Sequence, residues 1–144
     1  MEHHQILRVV TKFNIPLILL FGLYVQFHGD FGPGGGFQAG VIIAAALILY
    51  TLVFGLDNAT RVAPPGVLRA CSAGGVLIYA GTGVANLLLG GNFLDYSQFS
   101  PEQPASGQHY GILVIEFGVG LTVAATLSLI FFALAGRRRS EDLN

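Results

Sequence analysis

Four long apolar runs, each separated from the next by a polar or glycine-rich stretch, organise the chain. They lie at about 6–27, 37–55, 66–89 and 110–135. A helix that crosses the hydrocarbon core of a bilayer needs about 20 mostly apolar residues, and all four runs approach or exceed that length. The second run carries no charge, the third only Arg69 near its start, and the fourth only Glu116. In the first, the purely apolar part begins at Phe13, so Arg8 and Lys12 are expected to snorkel to one interface. Pro16 lacks the N–H that would bond the Lys12 carbonyl, and a kink is expected there. The pattern predicts an all-α integral membrane protein with four transmembrane helices in a single transmembrane domain covering 1–144. The basic start followed by an apolar run imitates a signal peptide. Residues 22–29 offer no small-x-small cleavage site, however, and three more spans follow, so the first run is expected to stay as a span.

Composition narrows the class. Charged residues make up 10% of the chain against 53% apolar, where globular domains carry about 25% charge. That balance argues against a disordered chain and a water-soluble domain. Seven basic and eight acidic residues leave a net charge of −1, and no basic field remains for nucleic acid. With Cys71 as the only cysteine, an internal disulfide and a cysteine-based metal cluster are both excluded, and Cys71 reads as a small buried residue.

The placement of charge predicts orientation. Arg8 and Lys12 precede the first run, Arg61 and Arg69 lie between the second and third, and Arg137, Arg138 and Arg139 follow the fourth. All seven basic residues therefore fall on one side of the membrane, which by the positive-inside rule puts both termini in the cytoplasm. The connections differ in kind. Residues 28–36 form a tight glycine-rich link. Residues 56–65 are expected to be a short loop in which Pro64 and Pro65 stop one helix and start the next. Residues 91–108 are expected to be the longest polar loop, with Pro101 and Pro104 near its centre.

Polar groups within the spans carry the candidate chemistry. A carboxylate in lipid is costly, and intramembrane ionisable residues face the bundle interior. Counting by fours from Glu116 gives Gly120, Ala124 and Ser128 on one stripe, with Gly118, Thr122 and Thr126 beside it. Small residues at that spacing admit a close helix neighbour, so Glu116 is expected on a contact face. It either exchanges protons or only ties two helices together. His109, seven residues earlier and about 10 Å up the helix axis, is expected at the outer mouth. It either relays protons between water and Glu116 or is simply a wetted interfacial histidine. In the link, His28 and Asp30 flank Pro33, Gly34, Gly35, Gly36 and Phe37. Three successive glycines bare the backbone, which either lines water or an ion path or makes a tight hairpin. No Gly-Lys-Ser/Thr follows, so this is not a phosphate-binding loop, and one His with one Asp is not a metal site. No resident cofactor is implied. Asn14, Gln26, Gln38 and Asn86 read as groups bonded to neighbouring helices or placed at interfaces. Gly74, Gly75, Gly81 and Gly83 read as a close-packing surface.

The string from His28 through Pro33-Gly34-Gly35-Gly36-Phe37, followed by Ala39 and Gly40, and the later run Glu116-Phe117-Gly118-Val119-Gly120 resemble the MrpB (MnhB) family. The resemblance covers nearly the whole chain. It implies one small subunit of a multisubunit monovalent cation/proton antiporter, usually Na+/H+, in a bacterial inner membrane. The implied partners are the other membrane subunits, the lipid bilayer, Na+ and H+. The implied role is in cation exchange, salt tolerance and pH homeostasis rather than enzymatic catalysis. Two rival readings stay open: a purely structural bridging subunit, and the equivalent subunit of a membrane-bound hydrogenase or complex I-like module.

Overall fold

The computed structural model describes residues 2–29, 32, 34–100 and 102–141. The described residues contain no strand. The helices are α1 (Glu2–Phe27), α2 (Gly36–Phe54), α3 (Leu56–Val62), α4 (Pro65–Leu88) and α5 (Pro104–Glu141), with a 3-10 turn at Tyr96–Phe99. Four of them, α1, α2, α4 and α5, are long and apolar enough to cross a membrane. Their limits follow local chemistry. Gly35 at φ +132 precedes α2 and Gly55 at φ +89 ends it, both in a backbone region that only glycine enters cheaply. Pro65 opens α4, where its missing N–H would have had no helical partner. Pro104 opens α5 in the same way. α1 continues through Pro16 without ending there.

Two connections are more structured than their sequence suggests. The expected loop at 56–65 holds the seven-residue helix α3. Asp57 in its first turn and Arg61 in its last complement the helix dipole, and Ala59 is buried against its neighbours. The expected loop at 91–108 gives way at Pro104, where α5 begins, before the start at 110 that apolarity alone indicates. The intervening segment is pinned to the helix ends. Asp95 Oδ1 accepts from the Ser97 N–H at 3.3 Å and from the Ser97 hydroxyl at 2.5 Å. The Phe93 ring lies on Gly83 of α4 and the Tyr96 side chain on Gly111 of α5, each where a Cβ would collide with it. Burial, and secondarily the nearby Tyr79, hold the Tyr96 hydroxyl above its ordinary pKa.

The long helices pack in a row, α1 on α2, α2 on α5, and α5 on α4. What they bury is small. Among the described residues, five of the six buried apolar ones are alanines, Ala39, Ala44, Ala46, Ala59 and Ala125, with Phe132 the exception. Large side chains point outward instead, with Phe13 and Leu77 each 71% exposed. A water-soluble core has the reverse arrangement. In lipid, burying leucine gains nothing over leaving it among the acyl chains, so close backbone approach and interhelical hydrogen bonds hold helices together. The α4–α5 seam follows that rule. A Cβ on Gly75 would overlap both the Gly118 carbonyl and the Thr122 hydroxyl. Thr122 Oγ1 donates to the Ser72 carbonyl at 3.2 Å and lies 2.9 Å from the Gly118 carbonyl, while the Ser72 and Thr126 hydroxyls are 2.9 Å apart.

Candidate functional site

The row of helices puts one ionisable group, Glu116 of α5, against the start of α2 and the link that precedes it. The contact is close enough to need glycine at three positions. A Cβ on Gly29 would stand 2.6 Å from both carboxylate oxygens, and one on Gly35 would stand 2.8 Å from Oε1. One on Gly36 would overlap the backbone carbonyl of Glu116 itself. One turn further along, Gly40 of α2 meets the Gly120 carbonyl, where a Cβ would come within 2.7 Å. The bare backbone of the link thus serves to bring α2 and the hairpin onto Glu116. The residue is half-buried overall, and its Oε2 oxygen is shut off from solvent.

The electrostatic setting is specific. Gly35 gives α2 no side-chain cap, so the first-turn N–H groups of α2 lack the usual partner from their own cap residue. The Glu116 carboxylate stands at this positive end of the α2 dipole. Gln26 completes the surroundings. It is 5% exposed, and its Oε1 fills the notch left by Gly120, 2.5 Å from where a Cβ would be; the Gly36 carbonyl is 3.1 Å from the same point. In the sequence Gln26 is one of several polar groups expected at helix contacts or interfaces. Its spacing of ten residues before Gly36 carries no local signal.

The depth of the site follows from the helix lengths. Glu116 is level with the first residue of α2, so about 28 Å of that 19-residue helix lies on its far side. On its near side α5 extends twelve residues, about 18 Å, back to Pro104. The carboxylate therefore lies nearer one end of the bundle than the other.

The other expected residues are distributed as follows. His28 is exposed and its ring stacks on Tyr24 at 4.7 Å, one residue before the Gly29 that touches Glu116. His109 is half-buried two turns before Glu116, with its ring tilted against Tyr110 at 5.9 Å. Gly34 packs on Val25, and Phe37 is 60% exposed, facing away from the site. Asp30 and Pro33 lie outside the described residues. Gly120 meets α2, whereas Gly118 meets α4 through Gly75, so the two stripes read from the sequence serve two different helices. Ala124 is half-buried and accepts the hydroxyl of the buried Ser128 through its carbonyl at 2.7 Å. Cys71 is half-buried in α4 and forms no disulfide.

Apolar helices packed through glycine and alanine, around a carboxylate held by a glycine hairpin, define a multi-pass membrane protein built to place one ionisable group at a helix junction. Residues 6–129 match the family described as a domain related to the MnhB subunit of Na+/H+ antiporter. Relatives agree over almost the full length. A Staphylococcus haemolyticus (strain JCSC1435) protein named "Putative antiporter subunit mnhB2" is 34% identical over 137 residues, covering 94% of this chain and 96% of that protein. The protein of the same name from Staphylococcus aureus (strain Newman) is 31% identical over 139 residues, covering 95% and 98%. The chain belongs to the MnhB family.

Proposed function

We propose that this chain is a membrane subunit of a multisubunit Na+/H+ antiporter in a bacterial plasma membrane. In this reading Glu116 is a protonatable or cation-binding group at the outer mouth of a shared ion path, and the complex serves salt tolerance and pH homeostasis. The observation that carries it is the clasp of Gly29, Gly35 and Gly36 around the Glu116 carboxylate. A carboxylate used only as helix glue has no need of a hairpin stripped of side chains on three sides. The carboxyl at the start of α2 is a group that can hold and release a proton or meet a cation. His28 and His109 lie on the shorter side, towards outer water. Below the site the buried polar groups are widely spaced: Thr11, Thr51 and Ser128 lie far down the bundle, and the hydroxyls of Thr51 and Ser128 bond within their own helices. The remainder of the path then belongs to partner subunits, which fits a chain whose outer surfaces are apolar.

Two expected results follow. Gly29→Ala places a methyl group against the carboxylate without changing its charge. Because the end of a glutamate side chain can swing aside, the complex is expected to assemble while the pH profile of antiport in everted vesicles shifts. An unchanged profile in assembled complexes supports the scaffold reading instead. Orientation, with both termini cytoplasmic, is tested in a Cys71→Ser background. A membrane-impermeant maleimide applied to intact cells is expected to label Asn92→Cys and spare Asn58→Cys, both at exposed positions. The opposite pattern inverts the topology.

A further inference from the structure

We propose that the groove where α3, α4 and α5 meet, at the basic end of the bundle, binds one anionic phospholipid, its phosphate on Arg69 and one acyl chain against α5. Each helix contributes residues one turn apart: Leu56 and Thr60 from α3, Pro65 and Arg69 from α4, Leu129 and Phe132 from α5. Together they enclose about 470 Å³. The wall formed by α5 is apolar, with Leu129, Phe132 and Ala133 facing the groove, so an acyl chain laid there meets no polar side chain of α5.

Arg69 supplies the headgroup contact. Its Nε donates to the Pro65 carbonyl at 3.2 Å, which sets the plane of the guanidinium one turn into α4. Its other four N–H donors have no acceptor among the described residues, and the side chain is exposed. An arginine at that depth keeps its charge by reaching the headgroup layer, and its planar fork fits a phosphate with two parallel hydrogen bonds. The surrounding charge is favourable. Arg61 and Arg137 are exposed at the same end, and Lys12 lies there with its Nζ 5.9 Å from the Phe54 ring centroid. Asp57, the acid of α3, is one residue on from Leu56 and so turned about 100° away from the Leu56–Thr60 stripe. Thr60 already donates its hydroxyl to the Asp57 carbonyl at 3.1 Å, which leaves Arg69 as the group in the groove that can meet an anion.

The chain contains no tryptophan, so Ala133→Trp, at an exposed position lining the groove, provides a single fluorophore at the site. The full chain is reconstituted in vesicles with equal mole fractions of brominated phosphatidylglycerol or brominated phosphatidylcholine, and quenching is compared. The expected preference for phosphatidylglycerol is about fivefold, the size set by one basic residue at an anionic surface. Arg69→Gln is expected to reduce it to near unity, while Arg61→Gln leaves it in place. No preference with Arg69 intact, or a preference that survives Arg69→Gln, overturns the site and reduces it to diffuse attraction by the basic end. Native mass spectrometry of the assembled complex adds a second readout: Arg69→Gln is expected to carry one anionic phospholipid fewer. Equal lipid counts show that Arg69 holds no phospholipid, which also overturns the proposal.

Discussion

Glu116→Gln is expected to leave the complex assembled and cut cation/proton exchange at least about tenfold, or about 1.4 kcal/mol in the limiting step. The substitution keeps the size and the accepting oxygen of the side chain, so the glycine clasp still closes around it. It removes the ability to hold or release a proton and to present a negative charge at the start of α2. The assay is antiport in everted vesicles from cells lacking their own antiporters, across pH, with Na+, K+ and Li+, and with assembly checked on the same vesicles. Assembled Glu116→Gln complexes that work normally would make this subunit a bridge between larger neighbours.

Gly36→Ala should act in the opposite way, through structure. A Cβ there overlaps the Glu116 backbone carbonyl, and unlike a side-chain tip a helix backbone cannot move aside alone. α2 must shift away from α5, opening both the Gly40–Gly120 approach and the Gln26 notch. Overpacking of this kind costs about 1–3 kcal/mol or more. The expected results are a lower unfolding temperature of the chain in detergent and loss of the subunit from the complex on a native gel. Gly74→Ala is the matched control, since nothing lies within 4 Å of its Cβ position. It should be neutral or slightly stabilising, because alanine favours helix over glycine by about 1 kcal/mol. Equal behaviour of the two variants would remove the close approach of α2 and α5 from the account.

The four membrane helices were legible because each is an apolar run long enough to stand out without help from its neighbours. α3 was not, since seven residues with Asp57, Asn58 and Arg61 look like any polar connection and owe their helix to Gly55, Ala59 and the packing around them. The early start of α5 was missed because residues 104–109 are polar and project beyond the apolar span. Glu116 was recognisable as an interior group from its cost in lipid and from the small residues on its face. Its partner was not, because Gly29, Gly35 and Gly36 lie some eighty residues away and local pattern does not say which helices are adjacent. The same gap explains Gly118 and Gly120, whose neighbouring stripes the sequence does not assign to different partners and which face α4 and α2. Gln26 had no local signal at all, and only the notch left by Gly120 identifies it.

The proposed role of Glu116 requires that its carboxyl itself change protonation or ligation during exchange. Infrared difference spectroscopy on the reconstituted complex measures this directly, by stepping pH and by adding Na+ at constant pH. A carboxyl band that appears or disappears in both steps, and is missing from the Glu116→Gln complex, is the predicted result. Difference spectra that are identical in wild-type and Glu116→Gln complexes would contradict it.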